Sequence, residues 1–137
     1  MNPTLSSAPL SPARRAGIGF VFLWFFLGGI GHFVATGFFA SIVPPSIPWP
    51  RLAVYVSGVF ELLGAFALLS PRLRPLAGWG LIALIICVTP ANVYMWQHPD
   101  LFPTIPSSLL GFRLVLQVLL IACVWWSTRT PATLELR

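Results

Sequence analysis

Charge is scarce in this chain. Of its 137 residues only 8% are charged, and Asp and Glu together number three; a soluble domain carries about 25% charged residues. A water-soluble globular fold is thereby excluded from the reading. Cysteine is scarce too: Cys87 and Cys123 stand far apart, with no C-x-x-C pair, which argues against dithiol chemistry. Both read as small apolar packing residues. No basic stripe with interleaved aromatics lies on a polar face, so the net charge of +5 does not mark a nucleic-acid binder. The chain also lacks an internal repeat, which removes the main sequence argument for an inverted-repeat transporter.

What the chain has is hydrophobicity: 57% of its residues are apolar, and its mean hydropathy is +0.87. Four apolar runs, at about 16–39, 52–70, 75–97 and 107–126, each approach the ~20 residues needed to span hydrocarbon. They predict an all-α membrane protein, a left-handed antiparallel bundle of four transmembrane helices filling 16–127. Residues 1–15 then form a disordered cytoplasmic tail, and 128–137 a short second one. The first run outlasts the ~7–15 apolar residues of a signal peptide, so it reads as retained. Ser11, Pro12 and Ala13 before Arg14 and Arg15 do not make a twin-arginine export signal.

The arginines set an orientation. Arg14 and Arg15 precede the first span, Arg72 and Arg74 lie between the second and third, and Arg129 and Arg137 follow the fourth. The other two connections hold only Arg51 and Asp100. By the positive-inside rule both termini are cytoplasmic. The outward connection SIVPPSIPWP carries Pro44, Pro45, Pro48 and Pro50, whose fixed φ and missing donors forbid a helix. Its Ile42, Val43, Ile47 and Trp49 predict a lid lying in the membrane interface. In the tight SPRLRP turn, Pro71 stops one helix and Pro75 suits the first turn of the next. Ser107 or Ser108 is the expected cap of the last helix. Trp79, Trp96, Trp125 and Trp126 read as interfacial anchors, and Gly28, Gly29, Gly31, Gly58 and Gly64 as points of close helix approach.

With this topology, the polar residues collect at one depth. His32 lies in the outward half of the first span; Tyr55, Ser57 and Glu61 belong to the outward half of the second, Glu61 some ~13 Å below its start at 1.5 Å per residue. Asn92 is near the outer end of the third, and Arg113 and Gln117 open the fourth. Ser57 and Glu61 share a helix face, as do Arg113 and Gln117. Intramembrane ionisable residues turn into the bundle and pair or line a cavity. The expectation is a Glu61–Arg113 ion pair, because the guanidinium fork matches a carboxylate, with His32, Asn92 and Gln117 completing the hydrogen bonds. Pro90 should kink the third helix, with Thr89 or water meeting the carbonyl freed near Ile86. Met95 and His98, one turn apart, are weak candidates for copper ligands.

In fixed order the chain shows GIGHF, IVPPSIP, YVSGVFELLG, PRLRPLAGWGL and PANVYM between residues 29 and 95. This series resembles the DoxX-like family of small four-helix membrane proteins. The fourth span is similar mainly in being apolar with an early arginine. The resemblance implies a bacterial cytoplasmic-membrane protein with a quinone or redox connection, as a membrane subunit or anchor of a redox enzyme. It supplies no catalytic mechanism, and its motifs coincide with His32, Glu61 and Asn92. On the residues themselves, three readings stand: a pocket for a quinone-like lipophile, whose carbonyls need donors and whose reduction needs a titratable group; a structural cluster that fixes helix register in an anchor protein; and a proton-coupled or small-molecule transporter.

Overall fold

The computed structural model describes residues 9–129. Helix α1, Pro12–Val34, starts where Ser11 offers its Oγ to the backbone N–H of Arg14 at 3.3 Å, with proline in the first turn. Residues 12–15, expected in the tail, are therefore helical; 1–8 lie outside the described residues. The first apolar run is not one helix to residue 39. At Ala35 the backbone leaves helical geometry (φ −116°, ψ 36°). The Thr36 hydroxyl donates to the carbonyl of His32 at 2.8 Å, a local bond that competes with the helix ladder. A second, short helix follows in a new direction, α2, Thr36–Ser41.

Three more long helices complete the chain: α3, Pro50–Leu69; α4, Arg74–Gln97; and α5, Ser107–Thr128. With α1 they run to 23, 20, 24 and 22 residues and are apolar enough to cross a membrane. The protein is an all-helical, multi-pass membrane protein whose outer faces, rich in exposed Leu, Phe and Val, meet lipid. The α3–α4 turn is closed by Ser70, whose carbonyl accepts from Leu73 and Arg74, while Arg74 Nε caps the Leu68 carbonyl at 2.9 Å. A single turn of 3-10 helix, Pro99–Leu101, leads from α4 toward α5. The expected serine cap of α5 is not made: Pro106 occupies the cap position and its carbonyl accepts from Leu109 and Leu110.

Glycines set how closely the helices approach. A Cβ at Gly29 would lie 3.1 Å from the carbonyl oxygen of Gly58, so α1 and α3 nearly touch backbone to backbone. Phe22, Phe26 and Phe66 interlock below that crossing, with centroids 5.5 to 6.0 Å apart. Helix α4 meets α5 where Gly78 accommodates Thr128, and α3 meets α4 where Gly64 accommodates Leu81. Gly17 sits against Trp126 and Ser127, joining α1 to α5. These last three contacts all lie toward the end of the bundle that carries the termini. That half holds the main core, including Val21, Phe25, Leu68, Leu81 and Val124. Arg14 lies over Trp126 and Arg129 over Trp79 and Trp125, at 4.3 to 5.8 Å from the ring centroids.

Candidate functional site

In the half of the bundle opposite the termini, the α1–α3 pair and the α4–α5 pair stand apart and enclose a cavity of about 710 Å³, within the usual range of small-molecule sites. Most of its wall is apolar, from Phe25, Phe60, Leu84, Val88 and Leu120 among others. Helix α2 and the proline-rich connection close one end: Phe39 from the first and Ile42, Val43 and Ile47 from the second line the cavity, and Ile42 is buried with Met95, Phe102 and Leu110. This is the lid that the sequence suggested. Trp49 beside it is 74% exposed and holds a left-handed backbone (φ 52°) ahead of Pro50, an uncommon conformation for a large residue. Val56, Phe60 and Cys87 line the cavity and are also exposed, so it meets the lipid-facing surface between α3 and α4. Cys87 is thus a rim residue rather than a packing residue; Cys123 does pack against the core.

The first polar wall belongs to α1 and α3. His32 Nδ1 lies 3.1 Å from the Val54 carbonyl and 2.9 Å from Ser57 Oγ, which itself donates to Val54 at 2.9 Å. The Val54 carbonyl only accepts, so that contact is a hydrogen bond when Nδ1 carries the hydrogen, whereas the Ser57 hydroxyl can meet either tautomer; Nε2 points the other way. Nε2 is 3.9 Å from Glu61 Oε1, too long for a hydrogen bond. The other carboxylate oxygen, Oε2, is buried and has no hydrogen-bond partner. Gly28 makes its seat: a Cβ there would stand 2.7 Å from Oε2. Phe39, brought round by the break at Ala35, packs on the His32 ring at 4.3 Å between centroids.

The second wall belongs to α4 and α5. Asn92 Oδ1 accepts from Arg113 Nη2 at 2.8 Å and from Nε at 3.3 Å. Gln117 Nε2 reaches across to the Ile85 carbonyl at 3.4 Å, leaving its own Oε1 buried and without a partner. The same carbonyl accepts from Thr89 at 2.8 Å. Thr89 therefore serves Ile85, one residue before the carbonyl expected to need it beside Pro90. Helix α4 continues through Pro90.

Six of the seven residues placed at this depth by sequence, His32, Ser57, Glu61, Asn92, Arg113 and Gln117, line the one cavity. Two expectations fail. Glu61 and Arg113 form no ion pair: the guanidinium takes Asn92 from its own wall, and the carboxylate faces His32 on the other. Tyr55 is outside the site, 41% exposed and stacked on Phe33 at 5.7 Å. The metal candidates also turn elsewhere. Met95 is sealed in the apolar cluster under the lid, and His98 directs Nδ1 to the Tyr94 carbonyl at 2.9 Å. No three His, Cys, Asp or Glu side chains gather in a metal-binding group among the described residues. Gly28 is the site residue that the sequence reading assigned only to packing; its place one turn before His32 is the signal that could have found it.

Residues 21–128 match the model of a family described as a domain of unknown function, DUF8561, and the chain belongs to that family. No curated protein and no solved structure matches the chain.

Proposed function

We propose that this protein binds a small amphiphilic molecule of quinone-like size and polarity inside the bilayer, in the cavity between its two helix pairs. The observation that carries this reading is an apolar-walled cavity with two separated polar groups, His32–Glu61 and Asn92–Arg113, neither of which neutralises the other. A carboxylate and a guanidinium left unpaired in a membrane interior are costly, and a ligand head between them offsets that cost. The opening between α3 and α4 gives a hydrocarbon tail a way out into lipid. The resemblance to DoxX-like proteins favours a supporting role in redox metabolism, as a membrane subunit or anchor in the bacterial cytoplasmic membrane.

The transport alternative has less in its favour. Below the cavity Val21, Ala65, Leu68, Leu81 and Val124 are almost wholly buried and apolar, and the buried hydroxyls beyond them, Ser127 and Thr128, are both given to the Val124 carbonyl. The copper alternative also has less in its favour, since Met95 is buried in an apolar cluster and His98 Nδ1 meets the Tyr94 carbonyl. The arginines at the terminal end, Arg14, Arg15, Arg72, Arg74 and Arg129, support cytoplasmic termini. A cysteine placed at Arg72 should resist, and one at Arg51 accept, a membrane-impermeant thiol reagent applied from outside; the reverse pattern would invert the topology.

The deciding experiment is native mass spectrometry with an ultraviolet spectrum on protein extracted gently from its own membrane. A bound small molecule that is lost in Arg113→Leu supports the reading. A wild-type protein that carries no such molecule, and does not take up an added quinone in lipid nanodiscs, refutes it.

A further inference from the structure

At the terminal end of the bundle, positive charge stands without a counter-charge among the described residues. Arg14 and Arg15 open α1, Arg72 and Arg74 make the α3–α4 turn, and Arg129 closes α5. Of the chain's three acidic residues, Glu61 lines the cavity, Asp100 follows α4 at the opposite end, and Glu135 lies outside the described residues. Two of the arginines lie over tryptophan. Arg129 is exposed, yet its guanidinium lies over Trp125, one turn back in its own helix, at 4.3 Å, and over Trp79 of α4 at 5.2 Å. Toward α1, Arg14 lies over Trp126 at 5.8 Å. All three rings are exposed. A cation held through the face of a ring keeps its N–H donors for another partner. Helix α5 has 22 residues, about 33 Å at ~1.5 Å per residue, against ~30 Å of hydrocarbon. Its last turn therefore lies at the boundary between hydrocarbon and headgroups, and the two rings keep the Arg129 guanidinium there.

We propose that Arg129, steadied by Trp79 and Trp125 on the α4–α5 face, binds the phosphate of an anionic membrane lipid, and that this end of the protein selects such lipids over zwitterionic ones. Nothing in this depends on the cavity or on what the cavity holds. The planar guanidinium fork matches two phosphate oxygens. Contact with two rings pre-organises it, so that less side-chain freedom is lost on binding. Diffuse attraction to a charged surface needs no fixed side chain, whereas two rings from different helices holding one guanidinium define a place. Selectivity follows from the surplus charge. A zwitterionic headgroup brings its own ammonium toward an end already rich in arginine, and an anionic headgroup brings none.

The test is native mass spectrometry of the full chain released from nanodiscs made of equal parts phosphatidylglycerol and phosphatidylcholine, counting the lipids that each protein retains. Wild type should retain phosphatidylglycerol over phosphatidylcholine by about ten-fold, and Arg129→Gln should lower that ratio by about five-fold. Arg129→Lys, which keeps the charge but not the fork, and Trp79→Leu, which keeps the arginine but not its support, should both fall between these values. Arg51→Gln, at the opposite end, should leave the ratio unchanged. Arg51, Trp79 and Arg129 are all exposed, so none of these variants opens the core. No preference in wild type, or a preference that Arg129→Gln and Arg51→Gln reduce alike, overturns the proposal. A ratio that stays intact in both Arg129→Lys and Trp79→Leu also overturns it, since net charge alone would then account for the attraction.

Discussion

The crossing of α1 and α3 gives the sharpest mechanical test of the fold. In Gly58→Ala the new Cβ would lie 2.8 Å from His32 Cβ, 3.0 Å from Phe33 Cε2 and 3.3 Å from the Gly29 carbonyl oxygen. Carbon atoms prefer ~3.5–4.0 Å. His32 Cβ is the stem of a side chain, fixed to the helix, and the Gly29 carbonyl is backbone; neither can swing aside, so the helices must separate. Overpacking of this kind costs about 1–3 kcal/mol, offset by up to ~1 kcal/mol from the better helix propensity of alanine. Gly80 supplies the control, with nothing within 4 Å of an added Cβ. Gly80→Ala should therefore be neutral or stabilised by up to ~1 kcal/mol. Unfolding in mixed micelles, followed for wild type and both variants under one protocol, should place Gly58→Ala about 2 kcal/mol below Gly80→Ala. Equal stability of the two variants would refute the close crossing, and with it the positioning of His32 against Ser57.

Asn92→Leu removes the one side-chain hydrogen-bond partner that Arg113 has among the described residues, and should destabilise the protein by about 1–3 kcal/mol. Adding Arg113→Leu should restore most of that loss, because replacing both partners strands neither; a double variant as unstable as the sum of the singles would deny the pair. Gly28→Ala meets the free end of the Glu61 carboxylate rather than backbone, so the carboxylate can turn away. Stability should change by less than ~1 kcal/mol; a loss as large as that of Gly58→Ala would show that the carboxylate cannot turn away.

The depth of each polar residue was legible from sequence because it depends only on rise per residue and on alternating helix direction. That sufficed to bring His32, Ser57, Glu61, Asn92, Arg113 and Gln117 to one level. Rotation about each helix axis was legible in part. Tyr55 is two residues from Ser57, which puts it roughly 200° away at 3.6 residues per turn, and the exclusion of Tyr55 from the cavity follows from that geometry. The break at Ala35 was hidden because the residues beyond it, Thr36 to Phe39, continue the apolar run while their backbone turns.

Partner choice was the least legible property. Strength of attraction argued for Glu61 with Arg113, but attraction acts only between groups that the helices bring together. The close glycine crossing binds α3 to α1, and the Gly78–Thr128 and Asn92–Arg113 contacts bind α5 to α4. Glu61 and Arg113 thus belong to different helix pairs, which meet at the terminal end through Gly64 and Gly17 and enclose the cavity at the other. Both residues line the open space between those pairs, and no ion pair joins them across it. The missing ion pair and the open space are therefore one feature: small residues decide where the helices touch, and where they do not touch the polar residues line a cavity.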